Sequence, residues 1–120
     1  MLGYKPMAVV VVDESGHLKA AQRQDGASMF RVDVAVGKAW GAVAFGISSR
    51  EMGQRAQENP NFFLALASTA QGKLLPQTGA VLIKDADGNV LGAAGASGGK
   101  GDEDEAICIH GVASIGLSHS

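Results

Sequence analysis

Residues 92–117 constrain the fold of this chain more than any other stretch. They read GAAGASGGKGDEDEAICIHGVASIGL, which predicts a strand of very small residues, a break at the glycine pair, and then a helix. Asp102 is placed to cap this helix, and Glu105, three residues later, would complete a capping box. Beyond Glu105 apolar residues occur on every side of the helix, and only His110 interrupts them. Such a helix is typically covered on all sides, by a core or by another subunit.

The composition limits the classes of protein that this chain can belong to. A chain of 120 residues suits one domain, and a hydrophobic content of 46% with only 5% aromatic residues predicts a closely packed aliphatic core. The formal net charge of −2 gives no basic surface for nucleic acid. A single Cys allows neither an internal disulfide nor a Cys-rich metal site. Since no apolar run could span a membrane and no signal peptide is visible, we expect a cytoplasmic protein with one domain over residues 1–120.

Two hairpins and three intervening helices are predicted from the residue patterns. Residues 7–12 and 18–24 form the first hairpin, and residues 80–84 and 89–97 form the second around an Asp- and Gly-containing turn. Helices are expected at residues 29–45, 50–58 and 62–70. Antiparallel hairpins with helices grouped between and after them indicate an α+β fold, in which helices cover at least one face of an antiparallel sheet.

The first of these helices contains two glycines four residues apart, Gly37 and Gly41. Each costs about 1 kcal/mol relative to Ala in a helix interior. Such a cost has a packing reason, so either a neighbouring segment of the chain or a flat ligand approaches closely there. The expected core stripe of this helix consists of Val32, Ala35, Val36, Ala39 and Val43, with Trp40 at its edge.

His110 is the residue with the clearest functional potential. On the last helix it would share a side with Ala106, Ile109, Ala113 and Leu117. One interpretation is a core or interface histidine with a hydrogen-bond partner. The other is an axial ligand of a haem iron, which requires an apolar pocket.

The remaining candidate residues have simpler expected roles. His17 lies at a hairpin tip, where a solvated side chain is expected, and His119 lies in the C-terminal tail. Cys108 is expected to be a small buried hydrophobic residue. Arg23 and Lys38 are candidates for binding an anion, although we expect both side chains to be exposed. The acidic run at the start of the last helix is explained by capping and by the helix dipole.

Four short blocks, in order along nearly the whole chain, resemble one known family. They consist of Val12, Asp13, Gly16 and Leu18; Arg23, Asp25, Gly26 and Ala27; Ala35, Lys38, Ala39, Ala42, Phe45 and Gly46; and Gly92, residues 95–99, Gly101, Asp104 and Glu105. On these residues the chain resembles the GlcG/HbpS-like, or haem-degrading, domain, which is also found at the C-terminus of PduO proteins. The resemblance implies a profilin-like antiparallel sheet flanked by helices in α/β/α layers, assembly into homo-oligomers and, for some members, haem binding.

The chain departs from the family pattern in two places. Members usually begin with a long helix, whereas only residues 1–6 precede the first strand here. We therefore expect either a truncated chain or a face covered by a neighbouring subunit. Members also often carry a GG-x-P motif before the third strand, which residues 78–81 do not match.

Three functions remain open at this stage. The first is a haem-binding or haem-handling oligomer, with His110 as the iron ligand and with Arg23, Lys38, Gly37 and Gly41 at the cofactor site. The second is an enzyme or accessory protein that binds a small organic acid, in a pocket between the small-residue strand and the start of the last helix. In that case Arg23 or Lys38 would bind the carboxylate. The third is a purely structural oligomer.

Overall fold

The structure is a computed structural model that describes residues 5–120. The elements within them are β1 (Ala8–Asp13), β2 (Leu18–Arg23), α1 (Phe30–Phe45), α2 (Ser49–Glu58), α3 (Pro60–Thr69), β3 (Ala80–Lys84), β4 (Val90–Ser97), α4 (Gly101–Ser114) and β5 (Ser118–His119). The expectation that the family's first helix is missing concerns residues 1–6, most of which lie outside the described part of the chain.

The described strands form one antiparallel sheet in the order β2-β1-β4-β3-β5. Both predicted hairpins are present, and the sheet is continuous because β1 of the first hairpin pairs with β4 of the second. β5 was not predicted. It is a two-residue strand whose Ser118 and His119 pair with the end of β3, and two residues are too few to show a strand pattern.

Helices pack on both faces of the sheet, which confirms the α+β class and the profilin-like layers. On one face α1 contacts alternate residues of the three central strands. This core contains Val10, Val12, Ala35, Ala39, Ala42, Ala80, Leu82 and Ala93, with Val32, Val36 and Val43 packed against it. The predicted stripe of α1 is therefore its buried side. On the other face α4 contacts the opposite set of strand residues, namely Val81, Ile83, Ala94 and Ala96.

The close contact between α1 and β4 depends on the absence of a side chain at Gly95. A Cβ atom at this position would lie 2.5 Å from the carbonyl oxygen of Ala35 and 3.1 Å from the Cβ of Ala39. The helix therefore rests almost directly on the strand backbone. This is how a chain with few aromatic residues reaches a dense core.

Within this chain α4 is covered on one side only, so cover on all sides by the chain's own core is wrong, and cover by another subunit stays a prediction. Only Asp104, Cys108 and Val112 are buried, four residues apart and on the side that faces the sheet. His110 is exposed, as is most of the apolar surface around it. The reason is geometric, because a helix on the outer layer of a single sheet has only one covered side.

Both ends of α4 also differ from the prediction. The helix is capped by Lys100 rather than Asp102, and the backbone N–H of Lys100 donates to Glu103 Oε1 at 2.9 Å. The helix ends at Ser114 and does not reach Leu117. The run of four acids made the capping position ambiguous by one or two residues.

Two glycine substitutions should have opposite effects on stability. Gly95→Ala forces a Cβ into the α1–β4 contact and should lower the free energy of unfolding by about 1–3 kcal/mol. Gly111→Ala, in α4, places a Cβ where nothing lies within 4 Å. It should raise the free energy of unfolding by up to about 1 kcal/mol, because Ala favours the helix. Urea unfolding followed by circular dichroism measures both, and equal stability of the two variants would contradict this packing.

Candidate functional site

A buried ion pair joins α1 to α4 beside the end of β4. The Lys38 ammonium donates to Asp104 Oδ2 at 3.1 Å and to the carbonyl oxygen of Ala96 at 3.0 Å. The other carboxylate oxygen of Asp104 accepts from the backbone N–H of Gly99 at 3.1 Å. Lys38 is 5% exposed and Asp104 is 1% exposed. Because a single buried charge is costly, each of these residues requires the other.

The burial of Lys38 corrects the expectation that its side chain is exposed. Lys38 lies on the buried side of α1, and its ammonium passes close to Gly79. A Cβ at position 79 would lie 2.6 Å from Lys38 Nζ. The partner carboxylate is 66 residues away in the sequence, so the local pattern around Lys38 gave no indication of the pair.

A solvent-open cleft of about 440 Å³ lies at this ion pair, and we call it the α4 cleft. Its lining consists of Arg31, Val34, Lys38, Leu75, Gln77, Thr78, Ser97, Gly99, Lys100, Gly101, Asp102 and Asp104. Arg31, which the sequence analysis did not single out, donates from Nη1 to the Ser97 hydroxyl at 3.3 Å. The available signal was its spacing of seven residues from Lys38, which places both on one side of a helix.

Arg50 in α2 binds two of the acidic residues at the start of α4, Asp102 and Glu105. Arg50 donates to Asp102 and to both carboxylate oxygens of Glu105, at 3.0 Å for the Nη2–Oε1 contact. These bonds, first to Glu105 and then to Asp102, raise the pKa of the Arg50 guanidinium. Arg50 is exposed, so this contact contributes little to stability. The four acids therefore have separate roles, and capping accounts for Glu103 alone.

The histidines lie at three separate, exposed positions. His110 lies on the uncovered side of α4 and has no hydrogen-bond partner in residues 5–120. The side chain of His17 is 80% exposed, as expected for a hairpin tip, with Nδ1 3.6 Å from Asp13 Oδ2. His119 is exposed in β5. In the described part of the chain, no three His, Cys, Asp or Glu side chains come together to hold a metal ion.

The other residues predicted to form the site with Lys38, namely Gly37, Gly41 and Arg23, do not line the α4 cleft. A Cβ at Gly37 would lie 2.9 Å from Leu75 Cβ, and one at Gly41 would lie 2.7 Å from side-chain atoms of Leu74 and Met52. The space beside both glycines is thus filled by the chain itself, in agreement with the packing alternative. Arg23 is exposed and donates to the carbonyl oxygen of Ala27 at 2.9 Å, outside the α4 cleft.

Cys108 is 2% exposed, which confirms it as a small buried residue. Its Sγ lies 3.6 Å from the carbonyl oxygen of Gly79. Burial, and to a smaller extent the Asp104 carboxylate, raises the pKa of the thiol to about 12. This environment is that of an unreactive cysteine.

Comparison with known proteins decides the family. The family model described as "Haem degrading protein HbpS-like" matches residues 3–113. The chain belongs to this HbpS-like family. A search of curated protein sequences finds no significant match to the chain. In the part that the structure describes, no helix has the length and apolar character needed to cross a membrane.

Solved structures of similar fold include three with 26–29% sequence identity. A PduOC complex with haem is 29% identical, with a TM-score of 0.83 over 95% of this chain and 81% of that one. A double mutant of Streptomyces reticuli HbpS is 27% identical, with a TM-score of 0.79 over 93% and 73%. The Klebsiella pneumoniae protein ORFY is 26% identical, with a TM-score of 0.79 over 91% and 74%. Of these three neighbours, PduOC was solved as a complex with haem.

The buried ion pair predicts non-additive effects on stability in this HbpS-like chain. Lys38→Met or Asp104→Leu alone leaves one buried charge unpaired and should lower the free energy of unfolding by about 3–5 kcal/mol. The double variant removes both charges and should be more stable than either single variant. Urea unfolding of all four proteins gives the coupling energy. Additive losses would contradict a direct interaction between the two side chains.

The raised pKa of Cys108 predicts slow alkylation. At pH 8 iodoacetamide should modify the folded protein at least roughly 100-fold more slowly than the urea-unfolded chain, because the thiolate is the reactive form. The unfolded thiol also loses its proton first, so this group should make the free energy of unfolding fall as the pH rises above about 8.5. Mass spectrometry measures the alkylation, and equal rates in the two states would contradict a sealed position.

Proposed function

We propose that this HbpS-like protein binds haem against the exposed side of α4, with His110 as the axial ligand. The observation that carries the proposal is membership of a family described as haem-degrading, together with a structural neighbour solved as a haem complex. The local geometry supports the choice of ligand. An imidazole without a hydrogen-bond partner in the described chain is free to bind iron through a ring nitrogen.

The surface around His110 suits the flat face of a porphyrin. Ala106, Ile107 and Ala113 lie one helical turn away from His110 and share its side of α4. Ala106 and Ala113 are exposed, and beside them Gly111 leaves open space. Small apolar side chains around an accessible imidazole let a planar ring approach the helix closely.

Other parts of the described structure fit haem less well. The α4 cleft is lined mainly by charged and polar groups. A more apolar cavity of about 320 Å³ lies between α1 and α3, with no iron-ligating side chain in its lining. That lining consists of Trp40, Ala44, Phe45, Phe62, Leu66, Thr69, Ala70 and Leu74.

A single exposed helix supplies only one wall of a haem pocket. We therefore infer that a second copy of the chain covers the other face of the porphyrin, so that haem lies between two α4 helices. Bound haem would supply an iron centre, and the residues of this chain would orient it and exclude water. The haem would then be shared by two chains.

Titration with hemin tests this proposal. The Soret band should shift and saturate near one haem per two chains. His110→Ala should weaken binding by at least about tenfold, since it removes an iron–nitrogen bond. His17→Ala is the matched control, because it removes another exposed imidazole, which lies at the β1–β2 hairpin, and it should bind like the parent. Imidazole added to the His110→Ala variant should restore the Soret spectrum of the parent protein.

Two outcomes would overturn the proposal. If the parent protein shows no saturable Soret shift, haem binding is wrong. If His110→Ala matches the parent while His17→Ala or His119→Ala loses the shift, the ligand assignment is wrong. Light scattering with and without hemin checks the sharing of haem, since the mass should correspond to at least two chains when haem is bound.

The second candidate function is the binding of a small organic acid. The observation that favours it is the α4 cleft, which lies beside the end of β4 and the start of α4 and has Lys38 in its lining. It does not compete with haem for the surface around His110, because the cleft lies at the opposite end of α4.

A further inference from the structure

We propose that the α4 cleft binds a small hydroxylated monocarboxylate, with Arg31 as the charged contact. This inference rests on the second candidate function and is independent of haem. It replaces Arg23, which lies outside the cleft, with a residue that the sequence analysis missed.

Three basic residues, Arg31, Lys38 and Lys100, and two acidic residues, Asp102 and Asp104, line the cleft, so its lining carries one excess positive charge. Asp104 is neutralised by Lys38 inside the cleft, and Asp102 is held by Arg50, which is not part of the lining. Arg31 makes no ion pair within residues 5–120, and its contact there is with the neutral hydroxyl of Ser97. A guanidinium has five N–H donors. Most of the donors of Arg31 therefore remain available to an anion.

Lys38 adds a buried donor to the same cleft. Its ammonium has three N–H groups, and two of them are used by Ala96 and Asp104. The third has no acceptor within the described residues, although the side chain is 5% exposed and contributes to the lining. An acceptor atom of a ligand in the cleft would satisfy it.

The start of α4 adds backbone N–H donors to the cleft, beside the carboxylates of Asp102 and Asp104, which already lie at the positive end of the helix dipole. Gly101 and Asp102 are the first two residues of this 14-residue helix, and both line the cleft. The N–H groups of a first turn have no acceptor inside the helix, and the helix dipole is positive there. The lining thus offers N–H donors from Arg31, from Lys38 and from the first turn of α4.

The lining also restricts the size and chemistry of the ligand. A volume of about 440 Å³ lies within the range of small-molecule sites. Gln77, Thr78 and Ser97 offer amide and hydroxyl groups, whereas Val34 and Leu75 are the larger apolar side chains in the lining. A compact acid with hydroxyl groups fits this surface better than an aromatic acid. The single excess positive charge of the lining matches one carboxylate better than a dianion such as phosphate.

Isothermal titration calorimetry with lactate tests the proposal directly. Lactate should bind saturably, whereas lactamide, its neutral analogue, should bind at least about tenfold more weakly because it lacks the charge. Benzoate and inorganic phosphate should also bind more weakly than lactate. Saturable binding of phosphate or benzoate but not of lactate would overturn the ligand class.

Arg31→Gln and Arg23→Gln form a matched pair of variants. Arg31→Gln removes the proposed contact and should weaken lactate binding by about tenfold or more. Arg23→Gln removes an exposed guanidinium outside the cleft and should leave it unchanged. Equal affinities of the two variants, or no saturable heat with the parent, would overturn the site. Circular dichroism confirms that both variants are folded.

The location of the ligand can be checked separately. In an amide NMR titration with lactate, the largest shifts should occur at Gly99, Lys100 and Gly101, and shifts confined to other regions would contradict the assignment. Arg31→Gln should still bind hemin, and His110→Ala should still bind lactate. Failure of this site and failure of the haem proposal are therefore distinguishable.

Discussion

The ion pair between Lys38 and Asp104 connects two helices that pack on opposite faces of the sheet. It does so at the end of β4, where Lys38 also bonds to the strand through the carbonyl oxygen of Ala96. Asp104 in turn fixes the turn before α4 through the N–H of Gly99. One lysine and one carboxylate thus set the position of α4 relative to α1. They also form the inner wall of the α4 cleft.

Very small residues make this arrangement possible. Gly95 lets α1 rest on the backbone of β4, and Gly79 leaves room for the Lys38 ammonium. Small residues also determine the outer surface of α4. In the C-terminal half of α4, Ala106, Gly111 and Ala113 are small and exposed, and His110 lies among them. The proposed haem surface and the buried core therefore follow from one compositional feature.

Much of the fold was accessible from the sequence because local patterns determine it. The β-branched run of β1, the spacing of apolar residues in α1 and the turn chemistry around Asp85 each predict an element without knowledge of the tertiary structure. In that turn Asp85 Oδ1 accepts from the N–H groups of Asp87 and Asn89, as an Asp-initiated turn should. Cys108 was also interpreted correctly, since a thiol among isoleucines is usually buried.

The site was less accessible because it depends on contacts between distant residues. Nothing near Lys38 indicates a carboxylate 66 positions away, and a helix that is apolar on every side does not show which side faces the sheet. His110 was therefore assigned to a covered stripe, whereas the buried positions of α4 are Asp104, Cys108 and Val112. Gly37 and Gly41 gave a correct signal of close approach, but the sequence alone left open whether chain or ligand approached.

The state of the Lys38 side chain tests this account most directly. An exposed lysine ammonium exchanges its protons with water too fast to be seen by NMR at neutral pH and room temperature, whereas a buried, hydrogen-bonded one is protected. We expect a protected ammonium resonance that disappears in Lys38→Met and shows a close contact with the Asp104 side chain. If the Lys38 ammonium exchanges as fast as the exposed lysines, the buried ion pair does not exist, and the structural basis of the α4 cleft is lost with it.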